Sequence, residues 1–150
     1  MKRTIHFDMD GTIANLYGVT DWLPKLRSYD PSPYTDAEVM LNMSLLARYL
    51  NKLQKLGYRI SIISWLSKGS NHTYDKAVTE AKLEWLKVHL PSVHFDMINI
   101  TSYGLTKNMY ITSPYDILFD DNDEIREDWE GEAYKPDDII EVLKGLLQQE

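Results

Sequence analysis

The chain has no cysteine, no long uncharged hydrophobic run and fewer basic than acidic residues. The absence of cysteine excludes a disulfide, a thiolate nucleophile and a zinc-thiolate site. No uncharged run approaches the length of a membrane span. The formal net charge of −7 argues against a general affinity for nucleic-acid backbones, which bind basic surfaces. We therefore expect neither a nucleic-acid polymer nor a membrane as a partner.

The composition is that of an ordinary globular protein, with 43% hydrophobic and 26% charged residues. A length of 150 residues suits one core, so we expect residues 1–150 to form a single domain. The first residues lead directly into a predicted strand and leave no room for a signal peptide. We therefore expect a cytoplasmic protein, and the sequence does not indicate its oligomeric state.

The stretch 3–14 carries the first chemical pattern. Ile5 and Phe7 alternate with polar residues, which predicts a strand, and Asp8 and Asp10 follow it one residue apart. Side chains two positions apart share a face of a strand, so these carboxylates project together. Ligands of open α/β sheets bind at the carboxyl ends of the strands. Two close carboxylates repel each other, so the pattern predicts a bound divalent cation.

The residues after this acidic pair predict a turn that can bind an anion. Gly11 permits a sharp turn of the backbone, and Thr12 offers a hydroxyl and a backbone N–H group. The turn leads to residues 15–34, which are rich in aromatic residues and turn formers and show no clear period. We predict an irregular insertion here, with at most a short helix near residues 21–26.

Strands and helices alternate after the insertion. Thr35-Asp36-Ala37-Glu38 has the form of a capping box and predicts a helix that begins there and runs to Leu56, where Gly57 ends it. Further strands are predicted at 58–64, 94–100, 115–119 and 131–134, and further helical segments at 74–90, 106–111 and from Pro136 onwards. The alternation predicts an α/β fold, a three-layer doubly wound parallel sheet with residues 15–34 as a small cap over its first loop.

Two of the predicted strands end in residues that would face the same edge as Asp8. Ser64 closes the second strand, where its hydroxyl and the backbone N–H of Trp65 would reach the same crevice. Ser61 is the competing serine, but its place inside the strand favours a packing role. The fourth strand ends at Asp120 and Asp121, and buried carboxylates without a cation are costly. An all-oxygen set of ligands predicts magnesium.

Together these motifs resemble those of the haloacid dehalogenase (HAD) superfamily of phosphohydrolases. The resemblance rests on Asp-Met-Asp-Gly-Thr after the first strand, the serine that ends the second strand, and Leu-Phe-Asp-Asp. A Ser-Trp loop that leads to a Lys-Leu-Glu-Trp-Leu helix is similar to the 5′(3′)-deoxyribonucleotidase branch. The insertion of about twenty residues is smaller than the helical cap usual in that branch.

The resemblance implies a set of roles. A lysine just before the last catalytic strand binds the phosphoryl group in this family, which points to Lys107, with Lys68 as the alternative. Phosphate binding is implied for Thr12, Ser64 and Trp65 as well. Asp8 would be the nucleophile and Asp10 the general acid and base.

The magnesium site implied by the resemblance contains Asp8, Asp121 and the backbone carbonyl of Asp10. Asp120 would either support this site or pair with Lys107. The expected function is a magnesium-dependent phosphatase that acts on a small phosphomonoester, such as a (deoxy)nucleoside monophosphate, through an aspartyl-phosphate.

Several alternatives stay open at this point. A phosphotransferase would pass the phosphoryl group to an acceptor other than water. A phosphatase of this kind could also act on a non-nucleotide ester. A receiver-like domain would place its phosphoacceptor on a later strand, and a binding module without turnover would lack Asp8 or Asp10. The aromatic residues Tyr17 and Trp22 of the insertion are candidates for stacking on a substrate base, although such clusters are more often structural core.

Overall fold

A computed structural model describes residues 3–149 of the chain, and a five-stranded parallel sheet lies at its centre. Its strand order is β5-β4-β1-β6-β7, and β2 and β3 form a separate two-stranded antiparallel sheet. The strands in chain order are β1 (Thr4–Phe7), β2 (Ala14–Asn15), β3 (Glu38–Val39), β4 (Arg59–Trp65), β5 (Met97–Thr101), β6 (Ile117–Phe119) and β7 (Glu132–Tyr134).

Six α-helices connect or follow the strands in the described part of the chain. They are α1 (Trp22–Arg27), α2 (Ser32–Asp36), α3 (Met43–Lys55), α4 (His72–His89), α5 (Asp123–Asp128) and α6 (Ile139–Gln148), with short 3-10 turns at Leu16–Gly18, Lys107–Tyr110 and Pro136–Asp138. No helix in residues 3–149 is long and apolar enough to cross a membrane.

The central sheet is covered on both faces because residues alternate sides along each strand. On one face, Ile5 and Phe7 of β1 lie in the main apolar core with side chains of α3, α4 and α6. On the other face, Leu118 of β6 and Ile63 of β4 pack with Trp129 next to α5. This arrangement buries all of β1 and confirms the predicted fold class, a three-layer α/β fold with a parallel sheet.

Most predicted elements are found within a few residues of their expected bounds. β4 and α4 match the predicted strand and helix closely, and the turn at 107–110 lies within the predicted helical segment. β5 begins at Met97, later than predicted. Asp96 directly precedes the strand, and its side chain accepts a hydrogen bond from the N–H of Ile60 at 2.8 Å. Gly57 follows α3 with a φ of 101°, a left-handed conformation that ends the helix as expected.

The predicted capping box at Thr35 is wrong. Thr35 lies in α2, and the chain then extends into β3, where Glu38 pairs with Asn15 of β2. The long helix begins seven residues after Asp36, and its N-cap is Asn42, whose side chain accepts from the N–H of Leu45 at 3.0 Å. Local spacing favoured a helix at Thr35, but pairing with a distant segment extended the backbone.

The insertion is more regular than predicted. It contains α1 close to the expected short helix, and also the beginning of α2, which the sequence did not indicate. Tyr34 of α2 is buried, and its ring packs with Leu16 and with Tyr74 and Val78 of α4. Contacts with α4 therefore hold α2 in place, rather than any strong local preference for helix.

Candidate active site

Asp8 and Asp10 lie in the turn that follows β1. The N–H of Asp8 donates to the carbonyl of Phe119 at 2.9 Å, so pairing with β6 continues one residue beyond β1. Gly11 has a φ of 79°, a left-handed conformation that favours glycine. A Cβ atom there would lie 2.3 Å from Asp121 Oδ2. The turn therefore requires glycine for its backbone and for the space that Asp121 occupies.

Hydrogen bonds fix both carboxylate oxygens of Asp8. The hydroxyl of Thr12 donates to Oδ2 at 2.9 Å, and the ammonium of Lys107 donates to Oδ1 at 3.0 Å. Lys107 also donates to Oδ2 of Asp120 at 2.6 Å. Asp8 is 7% exposed, so it is reached from one side only. A carboxylate held in this way is oriented before any substrate binds.

Lys107 is buried at the start of the 3-10 turn before β6. Burial works against its charged form, but the neighbouring carboxylates of Asp8 and Asp120 outweigh burial and raise the pKa of Lys107. The ring of Trp65 lies 5.6 Å from the ammonium nitrogen. Lys107 therefore supplies a fixed positive charge beside Asp8. Lys68, the alternative lysine, also lines the cavity, and its ammonium nitrogen lies 5.9 Å from the centroid of the Tyr103 ring.

Three carboxylates meet at the edge of the sheet. One oxygen from each of Asp8, Asp120 and Asp121 lies within 4.8 Å of the other two. Burial, followed by the charge of Asp8, raises the pKa of Asp120 to about 6 and that of Asp121 to about 7. One lysine does not balance this concentration of negative charge.

The donor set fits magnesium. It consists of carboxylate oxygens, which hard divalent cations prefer, and no nitrogen or sulfur ligand is needed. The two oxygens of Asp120 accept from Lys107 and from the N–H of Asn122 at 3.0 Å. Asp121 is more exposed, and its contact with the hydroxyl of Thr12 is long, at 3.5 Å. Asp121 is thus freer than Asp120 to bind a metal. The carboxylate of Asp10 lies outside this group of three.

The carboxylate of Asp10 faces a different lysine. Its Oδ2 accepts from the ammonium of Lys82 at 3.0 Å. Burial raises the pKa of Asp10, while the charge of Lys82 opposes this effect. The net direction is upward, which favours the protonated form that a general acid needs.

Lys82 is the functional candidate that sequence reasoning missed. It also donates to the hydroxyl oxygen of Ser64 at 2.6 Å and to the carbonyl of Trp65 at 2.7 Å. In the sequence, Lys82 follows Val78 by four positions and precedes Trp85 by three, so it lies on the apolar stripe of α4. A lysine on the buried side of a helix is the signal that could have identified it.

Ser61 lies away from this edge, as expected. Its hydroxyl is 2.8 Å from Nδ1 of His6, and Nε2 of His6 is 2.8 Å from Oδ2 of Asp116. All three residues are buried in the described structure. They form a polar network within the sheet and the loop before β6.

A cavity of about 540 Å³ lies between the strand ends and the insertion. Asp8, Asp10 and Lys107 are among its lining residues. Tyr17 and Trp22 line it from the insertion and contact each other edge to face, with ring centroids 4.9 Å apart. The aromatic residues around it are Tyr17, Trp22, Tyr29, Tyr34, Trp65 and Tyr103.

The sequence-predicted residues therefore divide into three groups. Asp8, Thr12, Lys107, Asp120 and Asp121 are brought together around one carboxylate cluster, and Asp10, Ser64 and Trp65 meet at Lys82. Tyr17 and Trp22 line the same cavity from the insertion, and the ring of Tyr17 also lies beside the turn at Gly11. The functional roles of the residues in all three groups remain predictions.

The fold and this edge of the sheet define a class of protein, an α/β protein with an acidic site at the carboxyl ends of its parallel strands. No family model matches the chain, and no curated protein matches it. Among solved structures, D,D-heptose 1,7-bisphosphate phosphatase from Burkholderia thailandensis is similar, with 14% identity and a TM-score of 0.54 over 97% of this chain and 99% of that chain. This likeness shows a shared fold.

A second similar structure is the HAD domain of the effector protein Lem4 from Legionella pneumophila. It is 16% identical, with a TM-score of 0.43, over 98% of this chain and 94% of that chain.

Proposed function

We propose that this protein is a magnesium-dependent phosphatase of the HAD type that hydrolyses a small phosphomonoester. The observation that carries the proposal is the position of Asp8, oriented by Thr12 and Lys107 on the floor of a cavity and beside two further carboxylates. The fold shared with a phosphatase is consistent with this reaction. The site itself, rather than the fold, is the argument for the activity.

In the first step, an oxygen of Asp8 forms a bond to phosphorus as the bond from phosphorus to the ester oxygen breaks. Asp10 gives its proton to the departing oxygen, and its raised pKa suits this role. Lys107 and Ser64 bind the phosphoryl oxygens, whose charge the site must stabilise. The product of this step is an aspartyl-phosphate and a free alcohol.

In the second step, Asp10 takes a proton from water, and the water oxygen bonds to phosphorus as the bond to Asp8 breaks. Asp8, Asp121 and the backbone carbonyl of Asp10 would hold Mg²⁺, with Asp120 paired to Lys107. Bound Mg²⁺ would neutralise negative charge on the phosphoryl group. The second step releases inorganic phosphate and restores Asp8.

The test is phosphate release in the presence of Mg²⁺ from nucleoside monophosphates, sugar phosphates and phosphoamino acids. We expect activity on at least one class, and we expect Asp8→Asn to abolish it because an amide is not a nucleophile here. Asp137→Asn, at an exposed aspartate, is the matched control and should retain activity. Wild-type rates from Asp8→Asn would contradict the assignment of the nucleophile.

We further propose a (deoxy)nucleoside monophosphate as the substrate. The support is the aromatic wall of the cavity, where Tyr17 is 51% exposed and so available to a planar base. Stacking on one aromatic residue contributes roughly 1–3 kcal/mol per base. Tyr34, by contrast, is buried and belongs to the core.

Replacing Tyr17 or Trp22 by alanine tests this substrate. We expect a higher KM for a deoxynucleoside monophosphate and little change for a small generic ester, because only the nucleotide carries a base. Tyr115→Ala removes an exposed tyrosine that does not line this cavity and serves as the control. Equal losses on both substrates with a lower Tm would show that these aromatic residues are structural.

A further inference from the structure

Lys82 is a buried lysine whose ammonium group lies between two strand ends. It is 1% exposed and extends from α4 to three oxygen acceptors, in Ser64, Trp65 and Asp10. The ring of Tyr34 lies 5.1 Å from its nitrogen. The charge is therefore enclosed by α2, α4 and the ends of β1 and β4.

The number of donors fixes the direction of these hydrogen bonds. An ammonium group has three N–H donors and no acceptor, and the three acceptors lie at 2.6, 2.7 and 3.0 Å. The hydroxyl oxygen of Ser64 must therefore accept from Lys82, which leaves the hydroxyl proton to donate elsewhere. The carbonyl of Trp65 belongs to β4 and anchors the ammonium to the sheet.

The same contact constrains Asp10. Lys82 binds Oδ2, so the carboxyl group cannot rotate freely about its last bond without losing a hydrogen bond to a buried charge. The other oxygen, Oδ1, is left to meet the substrate. One lysine thus orients two groups that come from different strands.

We propose that Lys82 is a positioning residue for phosphoryl transfer, which orients the hydroxyl of Ser64 towards a phosphoryl oxygen and holds Asp10 for proton transfer. This inference rests on the proposed function. A positioning role differs from a purely structural role in what it predicts. When Lys82 is replaced, the rate of proton transfer from Asp10 to the leaving group should fall more than the rate of any step that needs no such proton.

The first test compares two esters with Lys82→Met, which keeps the length of the side chain and removes its donors. p-Nitrophenol leaves without a proton, whereas a simple alkyl alcohol needs one from Asp10. General acid catalysis contributes about 10²–10⁴-fold, so we expect kcat/KM for the alkyl phosphate, which reports the first step alone, to fall at least about 100-fold. The value of kcat/KM for p-nitrophenyl phosphate should fall much less.

Lys87→Met is the matched control, because Lys87 is exposed on the same helix. It should leave both rates unchanged. Equal losses for the two esters with Lys82→Met, or no loss for either, would overturn the proposal. If Lys82→Met does not fold, Lys82→Arg replaces it, because a guanidinium cannot place three donors in the same arrangement. The alkyl ester should again lose more, and an equal change in both esters would again overturn it.

The second test measures binding of inorganic phosphate by calorimetry with Mg²⁺ present, and it does not depend on turnover. We expect Ser64→Ala and Lys82→Met each to weaken the binding of phosphate. The double variant should have the same phosphate affinity as whichever single variant binds phosphate less tightly. Additive losses would show that Lys82 does not act through Ser64.

The two tests separate the inference from the proposed function. Protein that binds phosphate but hydrolyses no ester would contradict the proposed function, while the binding cycle would still decide whether Lys82 orients Ser64. Wild-type protein that does not bind phosphate would overturn both.

Discussion

Lys82 and Lys107 place two buried ammonium groups among the carboxylates of the candidate site. Burying a charge is expensive unless opposite charges and hydrogen bonds compensate for it. Asp8 and Asp120 compensate for Lys107. Asp10 and two neutral oxygens compensate for Lys82. Each lysine therefore holds a different catalytic carboxylate in the proposed mechanism.

Gly11 provides a prediction about the metal site. Gly11→Ala would force its Cβ to within 2.3 Å of Asp121 Oδ2, so Asp121 must move. Loss of a group that only orients a metal ligand typically costs about 10–100-fold in affinity, and here the ligand itself is displaced. We expect the Mg²⁺ concentration for half-maximal activity, or for half-saturation in calorimetry, to rise about tenfold or more.

Gly104→Ala is the control for backbone strain. Gly104 also has a left-handed φ, of 85°, but a Cβ there meets no atom within 4 Å. Both variants should lose stability, by roughly 1–2 kcal/mol, because L-residues disfavour this conformation. An unchanged Mg²⁺ affinity in Gly11→Ala, or an equal change in both variants, would contradict the role of Gly11.

The sequence predicted the carboxylates of the site because each follows an apolar strand, and strand ends meet at one edge of a parallel sheet. Asp8, Asp120 and Asp121 are therefore found together. Lys82 was missed because the path of its side chain depends on how α4 packs against α2 and β4. Helical spacing placed Lys82 on a buried stripe, but spacing alone does not show what the ammonium group contacts.

The beginning of α3 shows how tertiary pairing decides a helix boundary. Asn42 accepts from the N–H of Leu45 and satisfies one of the free donors of the first turn. Thr35 has a favourable sequence context for the same role, but it lies in α2. Antiparallel pairing with β2 holds Glu38 and Val39, which lie between α2 and α3, in an extended conformation.

Replacing each candidate cap tests this boundary. Asn42→Ala should lower the free energy of unfolding by about 1 kcal/mol, because a helix loses its N-cap. Thr35→Ala, at an exposed position, should change it by less than about 0.5 kcal/mol. Denaturant titration measures both values, and the reverse order would show that the helix begins at Thr35 in solution.

Regular elements were predictable where the pattern of apolar residues matched a strand or a helix without help from distant segments. The alternating pattern of β1, the apolar runs of β4 and β6 and the amphipathic pattern of α6 fall into this class. The insertion was not predictable in detail, since α2 depends on Tyr34 packing against α4 rather than on local preference. β3 has two residues and depends on β2, which is far from it in the chain.

The protein as a whole combines an acidic sequence with buried polar networks that connect its strands. Away from the candidate site, His6 of β1 joins Ser61 of β4 to Asp116 before β6. Asp116 also accepts from the N–H and the hydroxyl of Thr112. Burial favours its neutral form, but the hydrogen bonds from His6 and Thr112 prevail and lower the pKa of Asp116 to about 2.

This network predicts a pH dependence of stability. Because the pKa of Asp116 is lower in the folded than in the unfolded state, its ionised form contributes about 2 kcal/mol of stability above its usual pKa. That contribution is lost as the pH falls through about 2. Asp116→Asn should therefore destabilise the protein most near pH 7, and the difference from wild type should shrink by about half at pH 3.

Denaturant titrations of both proteins at pH 7 and pH 3 measure this difference. Other carboxyl groups titrate in both proteins. Subtracting the free energy of unfolding of the variant from that of the wild type at each pH therefore isolates the effect of position 116. A difference that grows as the pH falls would show that the ionised form of Asp116 is not the stabilising one.

The central claim, that Asp8 forms a bond to phosphorus, is tested most directly by chemical trapping. Protein in steady-state turnover with Mg²⁺ and its best substrate is quenched in acid and treated with borohydride, which reduces an aspartyl-phosphate to homoserine. We predict that mass spectrometry finds homoserine derived from Asp8 in the wild-type protein and none in Asp8→Asn. Reduction at another residue, or full turnover with no trapped residue, would contradict the proposed mechanism.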